Sequence, residues 1–149
     1  MGLEFLVSVI IVGILATFLL FIMGLWAHRL GMPRLDLARG MVVLSFGDSF
    51  KDVDPFRTYW PGVYILFMNG IFFAFVYAAA VAQYIPVEHA VVRGGAYGVV
   101  LWFLSGVIFL PVFHRAGIMG VRNNKWVWIP SLMVHGIYGL MLGWLSPVL

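Results

Sequence analysis

Long apolar runs broken by short polar and basic stretches set the pattern of this chain. Four runs are long enough for a helix to cross the ~30 Å hydrocarbon core of a bilayer, which takes about 20 residues. They run from Phe5 to Ala27, Trp60 to Tyr84, Gly94 to Phe113 and Trp128 to Ser146. Asp54-Pro55 places an N-cap and an N1 proline ahead of the second run, and Pro130 falls in the first turn of the fourth. Arg34 to Phe46 mixes basic and apolar residues over a length too short to span, the pattern of a helix lying in the membrane interface. GDSFKDVDPF follows as a polar loop. Its Asp48, Asp52 and Asp54 lack the alternating ligands and glycine of a calcium loop and read as a solvated segment with an N-cap. The expected fold is all-α: a polytopic membrane four-helix bundle, one domain over 1–149, with a short interfacial helix between spans one and two. The first run has no basic segment ahead of it and about twice the length of a signal-peptide core, so it reads as a retained span.

Composition supports lipid as the main solvent. The chain is 63% hydrophobic and 10% charged, where soluble domains carry about 25% charge. It has no cysteine, which excludes disulfides, thiolate metal sites and iron–sulfur clusters. No basic run interleaved with aromatics points to nucleic acid.

Charge chooses an orientation. Of nine Lys and Arg, five (Arg29, Arg34, Arg39, Lys51, Arg57) fall between spans one and two, and three (Arg115, Arg122, Lys125) between spans three and four. Only Arg93 lies on the other side. The positive-inside rule then puts both termini on the non-cytoplasmic face of a cell inner membrane. Trp26, Trp60, Trp126 and Trp128 gather at the cytoplasmic boundary as an aromatic belt, with Arg29, Arg34 and Arg115 at headgroup depth.

The sequence also repeats. AHRLG at 27–31 matches FHRAG at 113–117, and Asn69-Gly70-Ile71-Phe72 matches His135-Gly136-Ile137-Tyr138. This pattern predicts a duplicated helical hairpin with a pseudo-twofold axis along the membrane normal. His28 and His114 become equivalent positions, as do Asn69 and His135, roughly 10–13 Å into the membrane at 1.5 Å per residue. Gly70, Ala74, Ala78 and Ala82 form a small-residue stripe on span two. Gly94 with Gly98, and Gly139 with Gly143, do the same on spans three and four. Such stripes let helices approach closely in lipid.

The histidines carry the candidate chemistry. His28 and His114 can ligate a b-type haem, with Arg29, Arg34 and Arg115 neutralising its propionates. They can equally sit among headgroups beside snorkelling arginines, and a haem at those span ends is half exposed. His135 lies deeper. It either hydrogen-bonds Asn69 or Tyr138 to fix the bundle, or contacts a quinone or other cofactor. His89, beside Glu88, reads as solvated. No charged residue lies in the middle of a span, and there is no nucleophile–base pair, HExxH or phosphate loop. These absences predict no catalytic residue, no metal site and no independent enzyme.

GILATFLLFIMG, LGMPRLDLARGM, NGIFFAFVYA, RGGAYGVVLWFLSGVIFLP and HGIYGLMLGWL occur in an order that resembles a group of small four-span bacterial inner-membrane proteins of the YagU-like kind. The resemblance implies a four-helix fold and brings no activity with it. Asn69 stands where the resemblance leads one to expect histidine. With few soluble residues and an aromatic content of 17%, the chain is expected to be an accessory, non-catalytic subunit of a larger membrane complex, respiratory or redox in kind. Its expected partners are other integral-membrane subunits and lipids, without a cofactor of its own. The alternatives are a b-haem or quinone-binding anchor using His28, His114 and His135, and a small homo-oligomeric channel or transporter.

Overall fold

The computed structural model describes residues 2–47, 55–86, 88–113, 117–122 and 124–146, the side chains of 55–58 and Phe113 excepted. Every regular element among them is helical. Asp54, the expected N-cap, and the neighbouring Asp48 and Asp52 lie outside the described residues, as do His114 and Arg115.

Helix α1 covers Leu3–Trp26 and tightens into a 3-10 turn over Ala27–Leu30. Gly31 ends it at φ 75°, where a Cβ is strained, and its N–H bonds back to the His28 carbonyl at 3.2 Å. Helix α2, Leu37–Phe46, starts where the Asp36 carboxylate accepts from the Arg39 N–H at 3.0 Å. Helix α3 runs Pro55–Val76 and continues through a π-helical turn, Tyr77–Val81, into Ala82–Tyr84. Helix α4 runs Ala90–Leu104 and continues through a second π-helical turn, Ser105–Phe109, into Leu110–Phe113. Helix α5 is Trp128–Trp144.

Three of these are long and apolar enough to cross a membrane: Leu3–Leu30, Tyr59–Tyr84 and Ala90–Val112. Helix α5 has 17 residues, a rise of ~25 Å and slightly less than a full bilayer core. Helix α4 begins at Ala90, ahead of the expected Gly94, because the N–H groups of Val92 and Arg93 both close onto the His89 carbonyl. Arg93 is thereby drawn into the first turn.

In lipid a helix that is apolar all round has no hydrophobic drive toward one face, so small residues decide which faces meet. Helices α1 and α3 cross where Gly13 and Thr17 face Gly70 and Ala74; a Cβ on Gly13 would lie 2.9 Å from the Ile71 Cα. Helices α4 and α5 cross at Gly94 and Gly98 against Gly139 and Gly143, backbone to backbone. Helix α1 also packs along α5 and joins the two pairs. The shared core holds Val9, Val12, Ala16, Leu66, Tyr77, Val134 and Leu142. Helix α2 turns Ala38, Val42 and Val43 inward and docks on α3 over Gly62. Gly31, Met32 and Pro33, after α1, meet Asn124 and Trp126, before α5, and Ile129 in its first turn, so the two basic connections lie at one end of the bundle.

Candidate functional site

A cavity of about 800 Å³ lies between the α1–α3 pair and the α4–α5 pair. Leu20, Leu66, Phe73, Leu101 and Val134 make its walls largely apolar. The segment around Pro33–Met41 borders it at the end of the basic connections, bringing Arg34 and Asp36 to its margin. Thr17, Asn69, Ser105, Asn124, Ser131, His135 and Tyr138 supply the uncharged polar side chains in the wall.

Four of those polar groups already have backbone partners, Asn124 Oδ1 accepting from the Trp126 N–H at 2.9 Å. The Thr17 hydroxyl donates to the Gly13 carbonyl at 2.7 Å. The Tyr138 hydroxyl donates across the bundle to the Gly70 carbonyl at 2.5 Å, tying α5 to α3. Tyr97 ties α4 to α3 in the same way, its hydroxyl donating to the Phe73 carbonyl at 2.9 Å.

His135 Nδ1 lies 2.8 Å from the Ser131 carbonyl oxygen. A carbonyl can only accept, so Nδ1 carries the proton and Nε2 of the neutral ring keeps its lone pair. The expected partners, Asn69 and Tyr138, are not the ones used. A helical side chain leans back over the preceding turn, which puts the carbonyl four residues earlier within easy reach. Among the described residues neither His135 Nε2 nor the Asn69 amide has a hydrogen-bond partner. Sequence matching paired Asn69 with His135 as equivalent positions, and both line this one cavity.

The other candidates lie elsewhere. His28 is exposed in the 3-10 turn, its Nδ1 donating to the Leu25 carbonyl at 2.8 Å, and it is not part of the cavity wall. Arg29 sits 5.1 Å from the Trp26 ring centroid and Lys125 5.5 Å from that of Trp126, both cation–π pairs on exposed indoles. Trp60 is exposed; Trp128 is half-buried, and its carbonyl accepts from Trp102 Nε1 at 3.2 Å. His89 is exposed. Gly70 and Gly136 match in sequence but not in surroundings: Gly70 abuts Thr17, while a Cβ on Gly136 would meet nothing within 4 Å.

One polar residue was read from sequence only as an orientation signal. Arg93 reaches from α4 to the end of α3 and the end of α5 at once. Its guanidinium donates to the Ala82 carbonyl at 3.1 Å, the Ile85 carbonyl at 3.4 Å, the Tyr77 hydroxyl at 3.3 Å and the Ser146 hydroxyl at 3.1 Å. The π-helical turn lies among these partners, with Tyr77 opening it and Ala82 directly after it. Arg93 thus clamps the end of the bundle opposite the basic connections. Its being the lone cation of that end was the available signal.

Comparison with protein families, curated proteins and solved structures returns no match for this chain.

Proposed function

We propose that this chain is a four-span inner-membrane protein that binds a small amphiphile between its two helix pairs and performs no covalent chemistry. The observation that carries the reading is the cavity itself. Its ~800 Å³ falls within the usual 300–1,000 Å³ of small-molecule sites, which are mostly apolar with a few convergent polar groups. His135 Nε2 and the Asn69 amide are such groups, held at mid-helix on α5 and α3. Helix α5 serves as the fourth span, supported by its glycine contacts with α4, with Leu145 and Ser146 extending its short rise. The five-plus-three distribution of Lys and Arg supports termini outside the cytoplasm. The HR-x-G and [N/H]-G-I pairs support an ancestral hairpin duplication.

A vesicle experiment tests the binding. A diazirine-bearing alkyl amphiphile should label residues of α3, α4 and α5 that line the cavity, around 66–73, 101–110 and 131–138. Labelling confined to the aliphatic outer face of α1 would reject an internal site.

A second reading, an accessory subunit of a larger, redox-active membrane assembly, is favoured by one contrast. The outward face of α1 is mostly aliphatic, with Leu3, Val7, Ile10, Ile11 and Ile14 exposed and Phe18 the one exposed ring before Trp26. That of α3 presents Trp60, Tyr64, Met68 and Phe72 in a stripe four residues apart. Large aromatics and Met are what buried protein–protein contacts prefer. A b-haem is the less supported cofactor, since His135 is the only histidine that the described residues offer to the cavity.

A further inference from the structure

We infer that the cavity selects a neutral, hydroxyl-bearing aromatic amphiphile, of phenol or hydroquinone type, whose O–H donates to His135 Nε2; this rests on the reading of the cavity as a ligand site. The lone pair fixes the first requirement. Nδ1 is committed to the Ser131 carbonyl at 2.8 Å, so Nε2 of the neutral ring can only accept, and the ligand must bring the donor. Asn69, on the other helix pair, offers both an amide donor and an acceptor to a second oxygen.

Charge fixes the second requirement. The charged residues of the wall are Arg34 and Asp36, both exposed and both on the segment at the cavity margin. None lies on the stretches of α3, α4 and α5 around Asn69 and His135. A carboxylate or phosphate carried to that depth would be an unpaired charge among apolar walls, which costs several kcal/mol or more. An ammonium group meets the same penalty. The polar end of the ligand is therefore uncharged.

The walls fix the third. Phe73, Phe109 and Tyr138 put three aromatic rings on the lining, suited to edge-on and offset packing against a ring. An aromatic alcohol uses those rings as well as Nε2, where an aliphatic alcohol uses only the latter.

The test uses the full chain in lipid nanodiscs with para-octylphenol as probe. The comparison compound is para-octyltoluene, which puts a methyl group where the phenol has its hydroxyl. Affinities are corrected for partition into empty nanodiscs. The phenol should bind about tenfold tighter than the toluene, the worth of one hydrogen bond in an apolar site. His135→Phe should abolish that preference while leaving the affinity for the toluene within about twofold, which also reports that the variant is folded. Equal affinities for the two probes in the unaltered chain would overturn the hydroxyl assignment and leave the cavity reading standing. Failure of both to bind would overturn the cavity reading as well. Octanoate binding more tightly than the phenol would overturn the argument for a neutral head, and a preference that survives in His135→Phe would remove His135 as the acceptor.

Discussion

Gly94 and Gly139 meet so closely that a Cβ on either would overlap the carbonyl oxygen of the other. Three residues before Gly139, Gly136 faces open space. The pair supplies a controlled comparison on one helix. Gly139→Ala should lower stability by ~1–3 kcal/mol, the usual cost of forcing atoms into a packed contact. Gly136→Ala should be neutral or raise stability by up to about 1 kcal/mol, since alanine is the better helix former. Unfolding by SDS in mixed micelles, followed by circular dichroism, reads both. The small-residue stripes were legible as letters at a spacing of four, because close approach of membrane helices demands small side chains. The spacing also picked the right glycines of α5, Gly139 and Gly143 rather than Gly136, but not that α4 is the helix they meet, because a stripe of small residues does not name its partner. Arg93 shows a similar limit. Its identity was plain, but its four partners on α3 and α5 lie 8 to 53 residues away in sequence and meet only through the fold.

At the scale of elements, the boundaries that sequence reasoning placed best were those with punctuation. Pro55 does open α3, and Gly31, the last letter of AHRLG, closes the 3-10 turn that follows α1. The π turns had no such marks. Tyr77–Val81 reads YAAAV, an ordinary helical run whose single-turn widening no local residue demands. Helix α2 begins three residues later than the Arg34–Phe46 segment, at Leu37, where Asp36 caps it. The inner face of this helix rests on α3, with Ala38 and Val42 seated on Gly62. A Cβ on Gly62 would overlap the Ala38 carbonyl oxygen. Gly62→Val should therefore lift α2 from α3 and expose its backbone. Trypsin cleavage at Arg34 and Arg39, both on this segment and both exposed, should then accelerate relative to the unaltered chain. Unchanged cleavage would mean that Gly62 does not hold α2.

For the whole molecule, the apolar runs gave the helices and the small residues gave their contacts, yet neither gave the cavity. A cavity is a property of how two helix pairs diverge, here between α1–α3 and α4–α5, and no single run encodes it. What sequence did mark were two of its polar lining residues, Asn69 and His135, because a polar side chain in the middle of an apolar helix needs a reason to be there. Their roles follow from hydrogen bonds that the letters do not show: the ring of His135 is held by Ser131, which frees Nε2.

The central claim is that the bundle holds a small molecule of its own. Native mass spectrometry of the chain, extracted gently from the membranes that made it, tests this most directly. The account predicts a species of one chain carrying one neutral amphiphile at fixed ratio, with the mass increment lost in a chain whose cavity is filled by Ser105→Phe. A chain that carries no small molecule, or one whose increment survives that substitution, would contradict it. A chain that travels only with larger membrane subunits and without an amphiphile would shift the function to the aromatic face of α3.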